Sequence, residues 1–201
     1  VGAYTSHLGH VQVLRDRDTG EVTVEGFAIP AAELPVQDPD VAALVAAWEA
    51  RVSELVDVSI GHTDRKWNRR DMYLLVEHIL QQHAEADAGF YNEGGIRNLL
   101  FAGEITARHL WNIEPFGNRL AVVQIQGKNI VGQLAWRLKK QGVSVNPQKL
   151  YSVATNSFVV EDARRKTLLG VTEAVEVADT LIRDILIDYV RSGAALDTIP
   201  R

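Results

Sequence analysis

Two short stretches of this chain carry side chains whose types and spacing suit ligand chemistry. The first is Asn92-Glu93-Gly94-Gly95-Ile96-Arg97. Adjacent glycines admit backbone angles closed to other residues and permit close approach to the main chain, so peptide N–H groups there can face a ligand. Arg97 adds a planar, permanently charged fork suited to phosphate or ribose oxygens. Asn92 offers both a donor and an acceptor to a base edge. The second stretch is Pro115-Phe116-Gly117-Asn118, where a phenylalanine between proline and glycine sits on a constrained turn. A ring displayed in that way can stack on a nucleobase, a contact worth about 1–3 kcal/mol. Taken singly, the loop reads as a tight turn before a surface arginine, and Phe116 as a plug in the core beside its turn. Their occurrence together and in order is what favours a ligand site.

The remaining chemistry-bearing residues are scattered. His7 and His10 lie three apart on a strand-like segment, which sends them to opposite faces. His78 and His83 lie five apart on a helical segment and do not share a face. Gly61-His62-Thr63-Asp64 lacks the second histidine of a Gly-His-x-His metal element. No set of His, Asp and Glu has the spacing of a dinuclear site and no Ser-His-Asp order stands out, so no catalytic residue, no metal ligand and no cofactor is assigned to this chain.

The elements that must position these residues belong to an ordinary globular chain of 201 residues, with 46% hydrophobic and 23% charged residues. The net charge of −5 argues against a broad nucleic-acid-binding face, and any anion site must be a local pocket in an acidic surface. There are no cysteines, which excludes disulfides and thiol chemistry. No apolar run has the length of a membrane span, and the first residues lack a signal-peptide layout. Because the chain opens on Val1 and reads at once as strand-like, it has the character of a piece of a longer protein.

Residues 11–30 alternate as a β-hairpin around Asp16-Arg17-Asp18-Thr19-Gly20. Asp38-Pro39-Asp40 opens a helix whose Val41, Leu44, Val45, Trp48, Val52, Leu55 and Val56 share a face, as in a linker packed along something larger. A short strand over 58–60 ends at Gly61, and a second amphipathic helix is expected over 71–84. Residues 88–91 read as a short buried strand delivering the glycine loop, and Thr106 as the cap of a helix through Trp111. Further expectations are strands over 120–125 and 150–155 and helices over 128–140 and 179–189. Strands and helices are interleaved throughout, a mixed αβ pattern that leaves parallel and antiparallel pairing open.

The order of NxGGIR, then Gly103-Glu104-Ile105-Thr106, then PFGN resembles the C-terminal domain of the 5′-nucleotidase and UDP-sugar hydrolase family. Val123-Gln124-Ile125-Gln126-Gly127-Lys128, Tyr151-Ser152-Val153-Ala154-Thr155-Asn156-Ser157-Phe158 and Ile60-Gly61-His62-Thr63 are similar to further family segments. The resemblance implies an α+β, mixed-sheet domain over 58–201, preceded by a linker helix over 37–57 and by the terminal strands of a catalytic domain over 1–36. It also implies a division of labour: two divalent metals and hydrolysis reside in an N-terminal domain, while this domain binds the nucleoside part of a phosphoester and delivers it by rotation. On that reading the partners are a nucleotide or related phosphoester and the chain's own N-terminal domain, the setting is extracytoplasmic, and this piece alone is inactive. The substrate-binding residues implied are Asn92, Gly94, Gly95, Arg97, Phe116 and Asn118. Arginines before the helix that precedes the GGIR loop extend the set to Arg65, Arg69 and Arg70, with Lys66 equally eligible and an exposed basic patch as the plain reading.

Two departures bear on the ligand. Glu93 stands where the family often has a small residue. In place of a GGDG-aromatic segment the chain reads Glu161-Asp162-Ala163-Arg164-Arg165-Lys166-Thr167, so the aromatic clamp is expected to lack one jaw. That expectation supports an alternative: a pocket-degenerate binding module that keeps the fold and no longer takes nucleosides.

Overall fold

The computed structural model describes residues 6–34, 37–171 and 175–196. The chain divides into two compact units, Val1–Val52 and Ser53–Arg201. In the first, β1 (His7–Arg15) and β2 (Val22–Pro30) pair antiparallel as the expected hairpin, extended at its start. Its turn is fixed by Asp16, whose Oδ1 accepts from the amides of Asp18 and Thr19, and by Gly20 at φ +74°. Helix α1 (Pro39–Val56) begins in the first unit and ends in the second. Asp38 caps it by accepting from the amides of Asp40 and Val41. Val41, Leu44, Val45, Trp48, Val52 and Leu55 of its apolar stripe are exposed, whereas Val56 is half-buried against the core of the second unit.

The second unit contains β3 (Ser59–Thr63), α2 (Arg69–His83), β4 (Ala88–Gly89), β5 (Gly103–Thr106), α3 (Ala107–Ile113), β6 (Arg119–Gln126) and α4 (Gly132–Lys140). Then follow β7 (Leu150–Asn156), α5 (Ser157–Val160), α6 (Ala163–Leu168), β8 (Glu176–Leu181) and α7 (Ile182–Arg191). Four strands form a mixed sheet in the order β4-β7-β6-β8, parallel only between β4 and β7. β3 and β5 make a separate antiparallel pair. One hydrophobic core joins α2, α3 and α7 around Trp67, Leu80, Tyr91 and Ile96. Another joins the sheet to α4 and α5 around Ile125, Leu138, Val153 and Val159.

Two expected helices are shorter than their apolar periodicity suggests. The helix over 128–140 is interrupted: Gly127–Asn129 form a 3-10 turn, and α4 starts only at Gly132, whose φ of +57° is not helical. Ile130, Leu134 and Leu138 nevertheless all point inward. The helix over 179–189 cedes its first residues to β8, because β6 offers a free edge that pairs Arg119 with Leu181.

Glu77 on α2 ties the layers together. It is fully buried, and its carboxylate accepts from the Tyr91 amide at 3.1 Å and from Gln141 Nε2 at 3.1 Å. Gln141 in turn brackets Gly89, accepting from its N–H and donating to its carbonyl. Buried Arg137 on α4 lies 3.6 Å from the same carboxylate. Gly89 permits this assembly, since a Cβ there would collide with the Glu77 backbone. Burial pushes the Glu77 carboxyl up to about 7, against the opposing pull of Arg137 and the two hydrogen bonds. Its folded pKa is thus raised above the unfolded value of 4.5, so its contribution is fully present below pH 4.5 and fades as pH rises through about 7. The stability of wild type relative to Glu77→Gln is therefore expected to fall by on the order of 3 kcal/mol over that interval. Urea denaturation of both proteins at several pH values checks this, and parallel pH profiles would refute it.

Candidate functional site

The loop that follows β4 and the turn that follows α3 meet at one cleft. Asn92, Glu93, Gly94, Gly95, Arg97, Phe116, Asn118 and Phe158 line it, and its volume is about 490 Å³. All six residues singled out in the two motifs for substrate binding are thus brought together.

The two glycines serve different ends. Gly94 sits at φ +81° with open space where a Cβ would go, so its backbone angle is what needs glycine. Gly95 lies flat against the Tyr91 ring, which a Cβ would strike. The expectation that their amides face a ligand is corrected by the geometry. Gly94 N–H donates to Tyr73 Oη at 2.8 Å, and Gly95 N–H to the Asn92 carbonyl at 3.1 Å. These bonds shape the loop. Asn92 is itself anchored, its Oδ1 accepting from Asn156 Nδ2 at 2.8 Å. Arg97 donates from Nη1 to the Gly94 carbonyl, and its guanidinium lies 5.4 Å from the centre of the Phe116 ring.

Phe116 is 52% exposed, which removes the reading of it as a core plug. Gly117 makes its turn at φ +66°. Behind the turn lies a buried polar cluster: Asn118 Nδ2 donates to Glu114 Oε1 at 2.6 Å and to Tyr91 Oη at 3.2 Å, while Tyr91 Oη donates to the same Glu114 oxygen at 3.0 Å. Burial, reinforced by Glu114, pushes the Tyr91 phenol well above its ordinary range, so it stays a donor. With Nδ2 engaged twice, Asn118 is left to offer its Oδ1 acceptor.

The cleft does not lack a second aromatic. Phe158, 44% exposed, lines it together with Phe116. The chain leaves β7 at Asn156, whose side chain caps the single-turn α5 by accepting from the Val159 amide. Arg165 of α6 lies with its guanidinium 3.6 Å from the centre of the Phe158 ring and donates from Nε to the Phe158 carbonyl. The segment that replaces GGDG is therefore a short helix that braces Phe158. Sequence reading missed this residue by placing it at the end of a strand, although the Asn156 cap is the signal that the strand stops there.

The three arginines before α2 part company. Arg65 stacks on buried Trp67 at 3.8 Å and faces Asp71 at 3.6 Å, away from the cleft. Arg69 and Arg70 line a neighbouring cleft of about 520 Å³ together with Tyr73, Glu93, Gly94, Trp136 and Arg137. Glu93 and Gly94 border both. Among the described residues no group of three or more His, Cys, Asp or Glu could hold a metal ion. No helix among them is long and apolar enough to cross a membrane.

Residues 56–144 match the family model described as "5′-nucleotidase, C-terminal domain". Protein UshA of Yersinia enterocolitica is 23% identical over 158 residues, covering 61% of this chain and 29% of that protein. Endonuclease YhcR of Bacillus subtilis is 29% identical over 136 residues, covering 63% of this chain and 11% of that protein. In fold, the chain is similar to a 5′-nucleotidase precursor from Thermus thermophilus, with a TM-score of 0.70 at 18% identity over 93% of this chain and 47% of that one. The chain thus spans less than a third of these curated relatives and about half of the solved one. Residues 56–144 are thus similar to the C-terminal domain of the 5′-nucleotidase family, and the fold is α+β with a mixed sheet, as in that solved structure.

The two glycines can be told apart by substitution. Gly94→Ala is expected to cost about 1 kcal/mol through its backbone angle alone. Gly95→Ala must also displace Tyr91 from Glu114 and Asn118 and is expected to cost about 3 kcal/mol. Denaturant titration measures both, and equal losses would contradict the packing role of Gly95.

Proposed function

We propose that this domain holds the nucleoside portion of a phosphoester between Phe116 and Phe158, with hydrolysis performed by a metal-bearing N-terminal domain. The observation that carries the reading is the pair of half-exposed phenylalanines on one cleft, each with a guanidinium beside it. Flat aromatic faces accept any base, and Arg97 supplies a cation for the sugar or phosphate oxygens. Asn118 Oδ1 favours a base edge bearing an N–H donor. The match of residues 56–144 to that family's C-terminal domain supports the division of labour, in which two divalent metals are held by the N-terminal domain.

On this reading residues 1–36 are the terminal strands of the catalytic domain, 37–57 the linker helix, and 58–201 the substrate-binding domain. The exposed apolar faces of the hairpin and of α1 agree with segments that serve as connections to a larger body. An extracytoplasmic setting, with a nucleotide as substrate and the N-terminal domain as intramolecular partner, completes the proposal. The alternative of a pocket that has abandoned nucleosides rested on a missing aromatic, and Phe158 removes that ground.

Calorimetry with adenosine and AMP tests the clamp. Phe116→Ala and Phe158→Ala are each expected to weaken adenosine binding by about 1–3 kcal/mol. Unchanged heats in both variants would overturn the reading. The chain by itself, supplied with manganese or zinc, is expected to release no phosphate from AMP, and metal-dependent turnover would place catalysis here instead.

A further inference from the structure

Glu114 places a carboxylate where water cannot reach it. It ends α3 beside Pro115, its side chain is fully buried, and only one of its two oxygens is used. Oε1 accepts from Asn118 Nδ2 at 2.6 Å and from Tyr91 Oη at 3.0 Å, whereas Oε2 is buried with no hydrogen-bond partner among the described residues. A half-satisfied carboxylate in the interior lowers stability, so its presence calls for another reason. The backbone around it is pinned as well: the Glu114 amide donates to the Leu110 carbonyl, and the Ile113 carbonyl accepts from the Arg97 amide.

The three side chains close a ring of hydrogen bonds whose direction the carboxylate dictates. A carboxylate only accepts. Tyr91 therefore gives its one proton to Glu114, and Asn118 turns both Nδ2 hydrogens inward, one to Glu114 and one to Tyr91 Oη at 3.2 Å. Turned over, the Asn118 amide would set its oxygen 2.6 Å from a carboxylate oxygen and before a phenol whose proton is already committed. That arrangement has no proton between its oxygens. Asn118 thus keeps its Oδ1 as the atom it presents to the cleft that it lines with Phe116 and Phe158.

We infer that Glu114 is a positioning residue that sets base specificity: by locking the Asn118 amide with its oxygen outward, it makes the cleft prefer nucleosides whose base carries an amino group on the edge facing Asn118. The preference rests on the Phe116–Phe158 reading, whereas the lock does not. Glutamine has the same shape but reverses the ring. An Nε2 in the place of Oε2 would bury two donors without acceptors, so Glu114→Gln turns its Nε2 toward Asn118 and Tyr91 instead. Asn118 Oδ1 then accepts from that amide and from Tyr91, and its Nδ2 faces the cleft. An acceptor at the base edge is exchanged for a donor with no change in volume.

Calorimetry of the chain with adenosine and with purine riboside, which lacks only the 6-amino group, reads the preference. Wild type is expected to bind adenosine about five- to tenfold tighter, as one added hydrogen bond provides. In Glu114→Gln the ratio is expected to fall to about one, since both nucleosides offer a ring nitrogen to the displayed donor, and Asn118→Ala is expected to bring it there too. A general loosening of the turn would weaken both nucleosides alike, so a wild-type ratio retained in Glu114→Gln overturns the inference. Equal affinities in wild type overturn it as well, with the aromatic clamp still standing. If neither nucleoside binds, the clamp falls and the specificity claim falls with it. Hydrogen exchange of the Asn118 side-chain amide, followed by NMR, reads the lock without ligand: slow in wild type and fast in Glu114→Gln. Fast exchange in wild type removes the lock and the inference together.

Discussion

A single buried carboxylate organises this domain. Glu77 fixes the Tyr91 amide at the exit of β4, and through Gln141 it fixes Gly89 within that strand. A strand of two residues has little pairing of its own, so its position depends on this bracket and on its short parallel contact with β7. Everything downstream follows from Tyr91: its ring seats Gly95, and its hydroxyl meets Glu114 and Asn118 behind the Phe116 turn. Removing a carboxylate of this kind does more than delete one ion pair, because it leaves a guanidinium and a backbone amide without their acceptor.

The same carboxylate governs the electrostatics of the clefts. Arg137 stands between Glu77 and the second cleft, and its charge is only partly balanced by a group that burial already discourages from ionising. On the other side of the Glu93-Gly94 turn, the cations Arg97 and Arg165 rest on the two phenylalanine rings. The positive potential is thus local, built from guanidiniums held on aromatic faces within an acidic protein.

Much of this was legible in the sequence where local rules decide. The Asp38 cap, the Thr106 cap and the Asp16 turn sit where their side-chain chemistry places them. The GGIR and PFGN stretches do meet at one cleft. What was illegible depended on competition or distance. Leu181 fits a helix stripe as well as a strand, and only the open edge of β6 decides for the strand. Phe158 follows a run of strand residues buried on both faces, Val153–Asn156, and the turn into α5 leaves it half-exposed. The GGIR amides were assigned to a ligand because nothing local shows that Tyr73, on another element, takes one of them. Trp136 and Arg137 meet Arg70 only through the packing of two helices distant in sequence, so no motif announces their cleft.

The hairpin of the first unit has a different physical character. Leu8, Val11, Val13, Leu14, Val22, Val24 and Phe27 are all more than half exposed, on a ribbon whose two outer edges are unpaired among the described residues. A two-stranded ribbon is marginally stable in water by itself, and its free edges can template pairing with another chain. In colloidal terms, a ribbon of this kind needs a covering body: with its apolar strands left bare, it is the surface at which self-association would begin.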